Sequence, residues 1–148
     1  MSKTVSEILP GLFVGNCNSP YGPYGYKTKY TLIINCTKDL PEVPGSCRYF
    51  LRIPVSDSTR TAENKTMSKA LMNITADIHT ILHDKGTVLI HCYAGISRST
   101  TVATAYLMRY YNMTQSIAID FVQQRRPIAF YHGVNFRMAL GDFQGRLP

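Results

Sequence analysis

Gly86-Thr87-Val88-Leu89-Ile90-His91-Cys92-Tyr93-Ala94-Gly95-Ile96-Ser97-Arg98-Ser99 is the stretch that decides how this chain folds. Val88-Leu89-Ile90 is a short apolar run of the kind that fills a strand buried on both faces. From Ser99 to Tyr111 the apolar residues Val102, Ala103, Tyr106, Leu107 and Tyr110 fall at helical spacing. What lies between is a tight glycine-containing turn. Backbone amides in such a turn converge on the first turn of the helix, where unpaired N–H groups and the positive end of the helix dipole favour an anion, above all a phosphate. The same field favours a thiolate at Cys92, and the planar fork of Arg98 suits two oxygens of one phosphoryl group. Taken singly, a cysteine after a strand is commonly a small buried hydrophobe and an arginine a solvated surface residue. Their joint placement with His91, Gly95 and Ser99 in one strand-turn-helix unit points to a catalytic loop.

The flanking sequence supplies further strands at Leu12-Phe13-Val14, Thr31-Leu32-Ile33-Ile34-Asn35 and the alternating Tyr49-Phe50-Leu51-Arg52-Ile53. Helices are predicted from Asn64 to about Leu82, from Ser99 to Tyr111, from Thr114 to Arg125 with Thr114 as N-cap, and from about Asn135 to Phe143. Strands interleaved with helices imply an α/β fold, a central mostly parallel sheet flanked by helices, with the loop at the carboxyl end of a central strand. Ser19 to Tyr26 holds two prolines and two glycines, which excludes a regular helix and reads as a Tyr-rich connecting loop. With 148 residues and no evident linker, residues 1–148 read as a single domain.

The formal net charge is +7, with basic residues spread along the chain and no single basic run. Such a field steers polyanionic partners such as phosphorylated proteins, but it also suits RNA or an anionic membrane surface, so composition alone leaves nucleic acid and a membrane surface open. The four cysteines, Cys17, Cys36, Cys47 and Cys92, form neither close zinc-type pairs nor a dense disulfide framework. With no apolar signal segment and no run long enough to span a bilayer, the expectation is a reducing compartment, cytoplasmic or nuclear, without secretion or membrane insertion. No metal and no cofactor is expected, and the sequence carries no signal for oligomeric state.

His91-Cys92, five residues, then Arg98-Ser99 resembles the signature loop of cysteine-dependent protein phosphatases, and Ala94-Gly95-Ile96-Ser97 resembles the dual-specificity branch, in particular the MAP kinase phosphatases. Glu7 to Gly15 is similar to that family's opening strand, Ile53-Pro54-Val55-Ser56-Asp57 to its general-acid segment, and Phe121 to Pro127 to its late helix and following turn. The fold implied is that of the protein tyrosine phosphatases in their compact dual-specificity form. The activity implied is hydrolysis of phosphotyrosine and phosphoserine or phosphothreonine through a phosphocysteine. Cys92 would be the nucleophile and Arg98 the phosphate clamp. The amides of Tyr93, Ala94, Gly95, Ile96, Ser97 and Arg98 would bind the equatorial oxygens, and Asp57 would be the general acid and later base. Ser99 would assist departure of the sulfur, and His91 would orient the loop.

The chain departs from the family where a Pro-Asn pair normally follows the Arg-Arg turn. Tyr131-His132 stands there, so either His132 or Asn135 takes the loop-bracing role of the family's asparagine. Three other functions compete. A lipid phosphatase would place lysines inside the loop, where Tyr93, Ala94, Ile96 and Ser97 supply none. An RNA 5′-triphosphatase of the same superfamily would follow the arginine with Thr-Gly, where this chain has Ser99-Thr100. A binding-only pseudophosphatase would have no need of Cys92, Arg98 and Asp57 together. The rims of the pocket are expected from Ser19 to Tyr26 and from Tyr131 to Asn135.

Overall fold

The computed structural model describes residues 4–22 and 29–148. Its strands are β1 (Val5–Leu9), β2 (Leu12–Gly15), β3 (Tyr30–Asn35), β4 (Cys47–Arg52) and β5 (Val88–His91), and its long helices are α1 (Thr61–His83), α2 (Arg98–Tyr110), α3 (Gln115–Arg125) and α4 (Arg137–Arg146). The strands form one five-stranded sheet in the order β1-β2-β5-β3-β4. β2, β5, β3 and β4 run parallel, and only β1 is antiparallel, to β2. β5 lies centrally, so its carboxyl end opens at the middle of the sheet edge, the usual place for ligands in open α/β sheets.

Alternation along the strands divides the core in two. Leu12, Val14, Leu32, Ile34, Val88 and Ile90 join Met67, Leu71, Val102, Leu107, Val122 and Leu140 of the helices in the main cluster, while Phe13, Ile33 and Leu89 join Tyr30 in a smaller one. Every residue of β2 and β5 is buried, which is why their sequences are apolar runs without polar alternation. β4 is an edge strand with Tyr49 exposed, hence its visible alternation.

The expected strands and helices are present, with informative shifts. The segment read as one opening strand is two, because Pro10-Gly11 turns the chain between β1 and β2 and Gly11 takes a left-handed φ of +87°. α1 begins earlier than Asn64, at Thr61, and Asn64 is buried within its first turns. There the Asn64 side chain joins helix ends: Nδ2 donates to the carbonyls of Arg60 and Asn135, and Oδ1 accepts the Ala139 amide that opens α4. Thr114 caps α3 as expected, its hydroxyl accepting the Ile117 amide. α4 starts at Arg137 and continues to Arg146, later and further than expected. Ser19–Tyr21 forms a single 3₁₀ turn with Pro20 in its first turn, a short helical piece where only a loop was expected, and residues 23–28 of that segment lie outside the described residues. Among the described residues no helix is long and apolar enough to cross a membrane.

Candidate active site

The chain leaves β5 at His91, turns through Cys92 to Ser97 and enters α2 at Arg98. Only glycine fits the middle of this turn. Gly95 has a φ of +69°, and a Cβ there would meet Arg126 Nη2 at 2.5 Å and the Gly15 carbonyl oxygen at 2.7 Å. The turn wraps around the sulfur of Cys92: the Gly95 amide donates to Sγ at 3.2 Å, and Ser99 Oγ lies 3.2 Å from it on the first turn of α2. Cys92 is only 2% exposed, so the sulfur sits at the bottom of the site. Ser97 Oγ is buried and has no hydrogen-bond partner among the described residues, an orphan hydroxyl within the loop that a bound oxyanion or water would satisfy.

A cleft of about 390 Å³ adjoins this turn through Tyr93 and Arg98, and is lined besides by Lys38, Asp39, Val55, Ser56 and Asp57. Three residues singled out in the sequence, Asp57, Tyr93 and Arg98, therefore share one cavity although they come from two distant segments. Arg98 itself joins those segments, donating through Nη1 to the Val55 carbonyl at 2.9 Å. The Asp57 segment is held at two further points. Ser56 donates its amide to Glu63 Oε1 at 2.7 Å, and Asn135 Nδ2 donates to Asp57 Oδ1 at 2.9 Å. The Ser56 amide, and to a lesser degree Lys38, hold the Glu63 carboxyl below its usual range, so this clamp is ionised at neutral pH.

The loop is braced from below by a residue that the sequence reading noted only as part of a late helix and turn. Arg126 is 1% exposed; its Nε donates to the Gly95 carbonyl at 2.6 Å, Nη1 to Ser6 Oγ at 2.9 Å and Nη2 to the Ala94 carbonyl at 3.5 Å. Burial lowers its pKa, and the neighbouring Cys92 acts in the opposite sense. This answers the choice left open between His132 and Asn135, since neither braces the loop. The His132 ring packs edge-on against Tyr131, and Asn135 holds Asp57 instead. A second tie comes from Phe130, whose amide donates to the Ile96 carbonyl from a left-handed φ of +59°. Locally the sequence marks only where the helix stops: Pro127 ends it, and Arg126 is its C-cap.

His91 is 2% exposed, with Nδ1 3.4 Å from the Cys92 carbonyl oxygen. Burial, aided by the charges of Arg52 and Arg98, brings its pKa down to about 4, so it is a neutral ring near pH 7. Of the expected rims, Asn135 reaches the cleft through its bond to Asp57 while Tyr131 is not in the lining, and residues 23–28 lie outside the described residues; Tyr93 and the Lys38-Asp39 turn line it. Among the described residues, no three His, Cys, Asp or Glu side chains group as a protein metal site would need.

Residues 12–146 match the family model described as dual specificity phosphatase, catalytic domain. The chain belongs to that family. Mouse dual specificity protein phosphatase 2 is 32% identical over 123 residues, which are 82% of this chain and 37% of that protein. Mouse dual specificity protein phosphatase 15 is 31% identical over 144 residues, 97% of this chain and 59% of that one. The chain thus spans little more than a third of the first of these relatives and under two thirds of the second. Among solved structures, human DUSP28 superposes with a TM-score of 0.81 at 25% identity, covering 98% of this chain and 95% of that chain, and DUSP15 with a TM-score of 0.80 at 28% identity, covering 98% and 90%. The fold of this dual specificity phosphatase domain is accordingly that of the protein tyrosine phosphatases.

Proposed function

We propose that this dual specificity phosphatase domain is an active protein phosphatase that hydrolyses phosphotyrosine and phosphoserine or phosphothreonine through a phosphocysteine. The observation that carries the reading is the sulfur of Cys92, held between the Gly95 amide and the Ser99 hydroxyl in the same turn whose Tyr93 and Arg98 share a cleft with Asp57. In the first step the Cys92 sulfur, as the thiolate, attacks phosphorus to form the P–S bond, the P–O bond to the substrate side chain breaks, and the departing oxygen takes a proton from the Asp57 carboxyl. The loop amides and the Arg98 guanidinium carry the charge on the equatorial oxygens; to do so Arg98 has the donors left over from its bond to Val55. In the second step water attacks phosphorus, its proton passes to the Asp57 carboxylate, and the P–S bond breaks with Ser99 donating to the leaving sulfur. Asn135 and the Glu63–Ser56 contact keep Asp57 at the cleft wall for both proton transfers.

The test is hydrolysis of p-nitrophenyl phosphate in EDTA by wild type, Cys92→Ser and Arg98→Lys. Turnover by wild type alone, with phosphopeptide binding retained in Cys92→Ser, is the expected result. Phosphopeptide binding without turnover in wild type would make the domain a binding module, and preferential release of phosphate from triphosphate-ended RNA would move it to that other branch of the superfamily.

A further inference from the structure

Among the described residues the cleft has one aromatic wall, and we propose that the ring of Tyr93 is a specificity-determining surface that favours phosphotyrosine over phosphothreonine and phosphoserine. The proposal rests on the phosphatase reading above. Tyr93 directly follows the nucleophile, and its backbone is pinned on the far side, where its carbonyl accepts the Cys17 amide at 2.9 Å. The residue is 64% exposed and lines the same cavity as Asp57 and Lys38. No hydrogen bond or ring contact among the described residues engages it. Exposure alone would mean little, because Tyr21, Tyr49, Tyr111 and Tyr131 are exposed as well; those four are not in the lining of this cleft, and among the described residues Tyr93 is its aromatic lining residue.

Depth turns that position into discrimination. Cys92 is almost fully buried while the next residue, Tyr93, is exposed and lines the cleft, so on the phosphatase reading whatever follows the ester oxygen leaves the buried sulfur on the side of Tyr93. In phosphotyrosine the passing group is a phenyl ring, which can meet Tyr93 edge-on or in an offset stack. In phosphothreonine or phosphoserine it is one or two carbons and then peptide backbone, with no ring to pair. A tyrosine wall is suited to this because its two side-chain torsions cost little to order. The cleft also remains open enough for the shorter side chains, so the wall ranks substrates and excludes none.

The test uses one peptide sequence carrying phosphotyrosine, phosphothreonine or phosphoserine at the same position, with kcat/KM measured for wild type, Tyr93→Phe, Tyr93→Leu and Tyr93→Ala. The ratio of kcat/KM for phosphotyrosine to that for phosphothreonine is expected to fall roughly three- to tenfold in Tyr93→Ala, to fall also in Tyr93→Leu, and to be kept in Tyr93→Phe. The loss should lie in KM more than in kcat, since the contact forms on binding. An unchanged ratio in Tyr93→Ala, or a wild-type ratio in Tyr93→Leu, overturns the proposal. The leucine variant keeps bulk in the wall and so carries the test if alanine disturbs the loop. Cys92→Ser is run alongside: turnover there strikes the phosphatase reading, whereas an inert Cys92→Ser with a flat ratio strikes Tyr93 alone.

Discussion

Gly95 and Asp57 show how much of this site depends on single side chains. Replacing Gly95 by alanine forces a Cβ onto a φ of +69° and into the space of Arg126 and the Gly15 carbonyl. The strained backbone alone costs about 1–3 kcal/mol, and the displaced amide no longer meets the Cys92 sulfur. Gly95→Ala should therefore lower the urea midpoint and reduce kcat with p-nitrophenyl phosphate together; a fall in stability with kcat intact would mean that the Gly95 amide does nothing for the sulfur. Asp57→Asn addresses the proton donor. For alkyl phosphates, whose leaving oxygen needs a proton, kcat should drop by roughly 10²- to 10⁴-fold, and far less for p-nitrophenyl phosphate. Equal losses for both would make Asp57 a structural partner of Asn135. The names of these residues were legible from motif and spacing. Arg126 was not legible as a brace, because a buried arginine is recognisable only by its partners, the Gly95 and Ala94 carbonyls and Ser6, which lie far from it in sequence.

Adjacent strands set the neighbours of the nucleophile. β3 and β5 pair in parallel with Asn35 opposite His91, so the next residues, Cys36 and Cys92, leave the sheet side by side on the face of the main core. The Cys36 amide donates to the His91 carbonyl at 2.8 Å, continuing that register. Neighbouring strands lie within the Cα separation that a disulfide requires. Cys47 is at the opposite end of β3, paired with Tyr30, and cannot reach. Mild peroxide should convert the Cys92 thiol to a sulfenic acid, which Cys36 attacks with loss of water to give a Cys36–Cys92 disulfide that thiol reagents reverse. Burial, with Cys92 beside it, pushes the Cys36 thiol up, so the closing step should be slow. Peptide mapping after oxidation checks the pairing, and a Cys17–Cys92 link would show that the loop contact at Tyr93 outweighs strand register. Strand pairing of this kind was out of reach from sequence: the apolar runs named the strands, but their order required contacts between segments far apart. The β1–β2 hairpin was missed for a related reason, since Pro10-Gly11 interrupts a stretch whose two halves are similarly apolar.

Stability of the entire domain is tied to pH through His91, which lies between the sheet and the loop. Its folded pKa of about 4 lies below the ordinary value of 6.5, so the unfolded chain binds the proton more readily. The His91 contribution is complete above pH 6.5, declines as pH falls from there toward 4 at up to about 1.4 kcal/mol per pH unit, and levels off below. Urea midpoints of wild type across that window, compared with His91→Asn, should diverge in this sense; parallel curves would mean that His91 takes up its proton as readily in the fold as in the unfolded chain. The α/β architecture and the place of the loop at the end of a central strand could be read from one strand-turn-helix signal and the family's motifs. What the sequence could not supply was the shape of the cleft, which depends on how the Asp57 segment, held by Glu63 and Asn135, docks over the loop. The chemistry assigned to that cleft stands on a covalent intermediate at one atom. Rapid acid quench of the Ser99→Ala variant, in which release of the sulfur is slowed, followed by peptide mass spectrometry, should find one phosphoryl group on Cys92 during turnover. A phosphoryl group on any other residue, or continued turnover in Cys92→Ser, would contradict it.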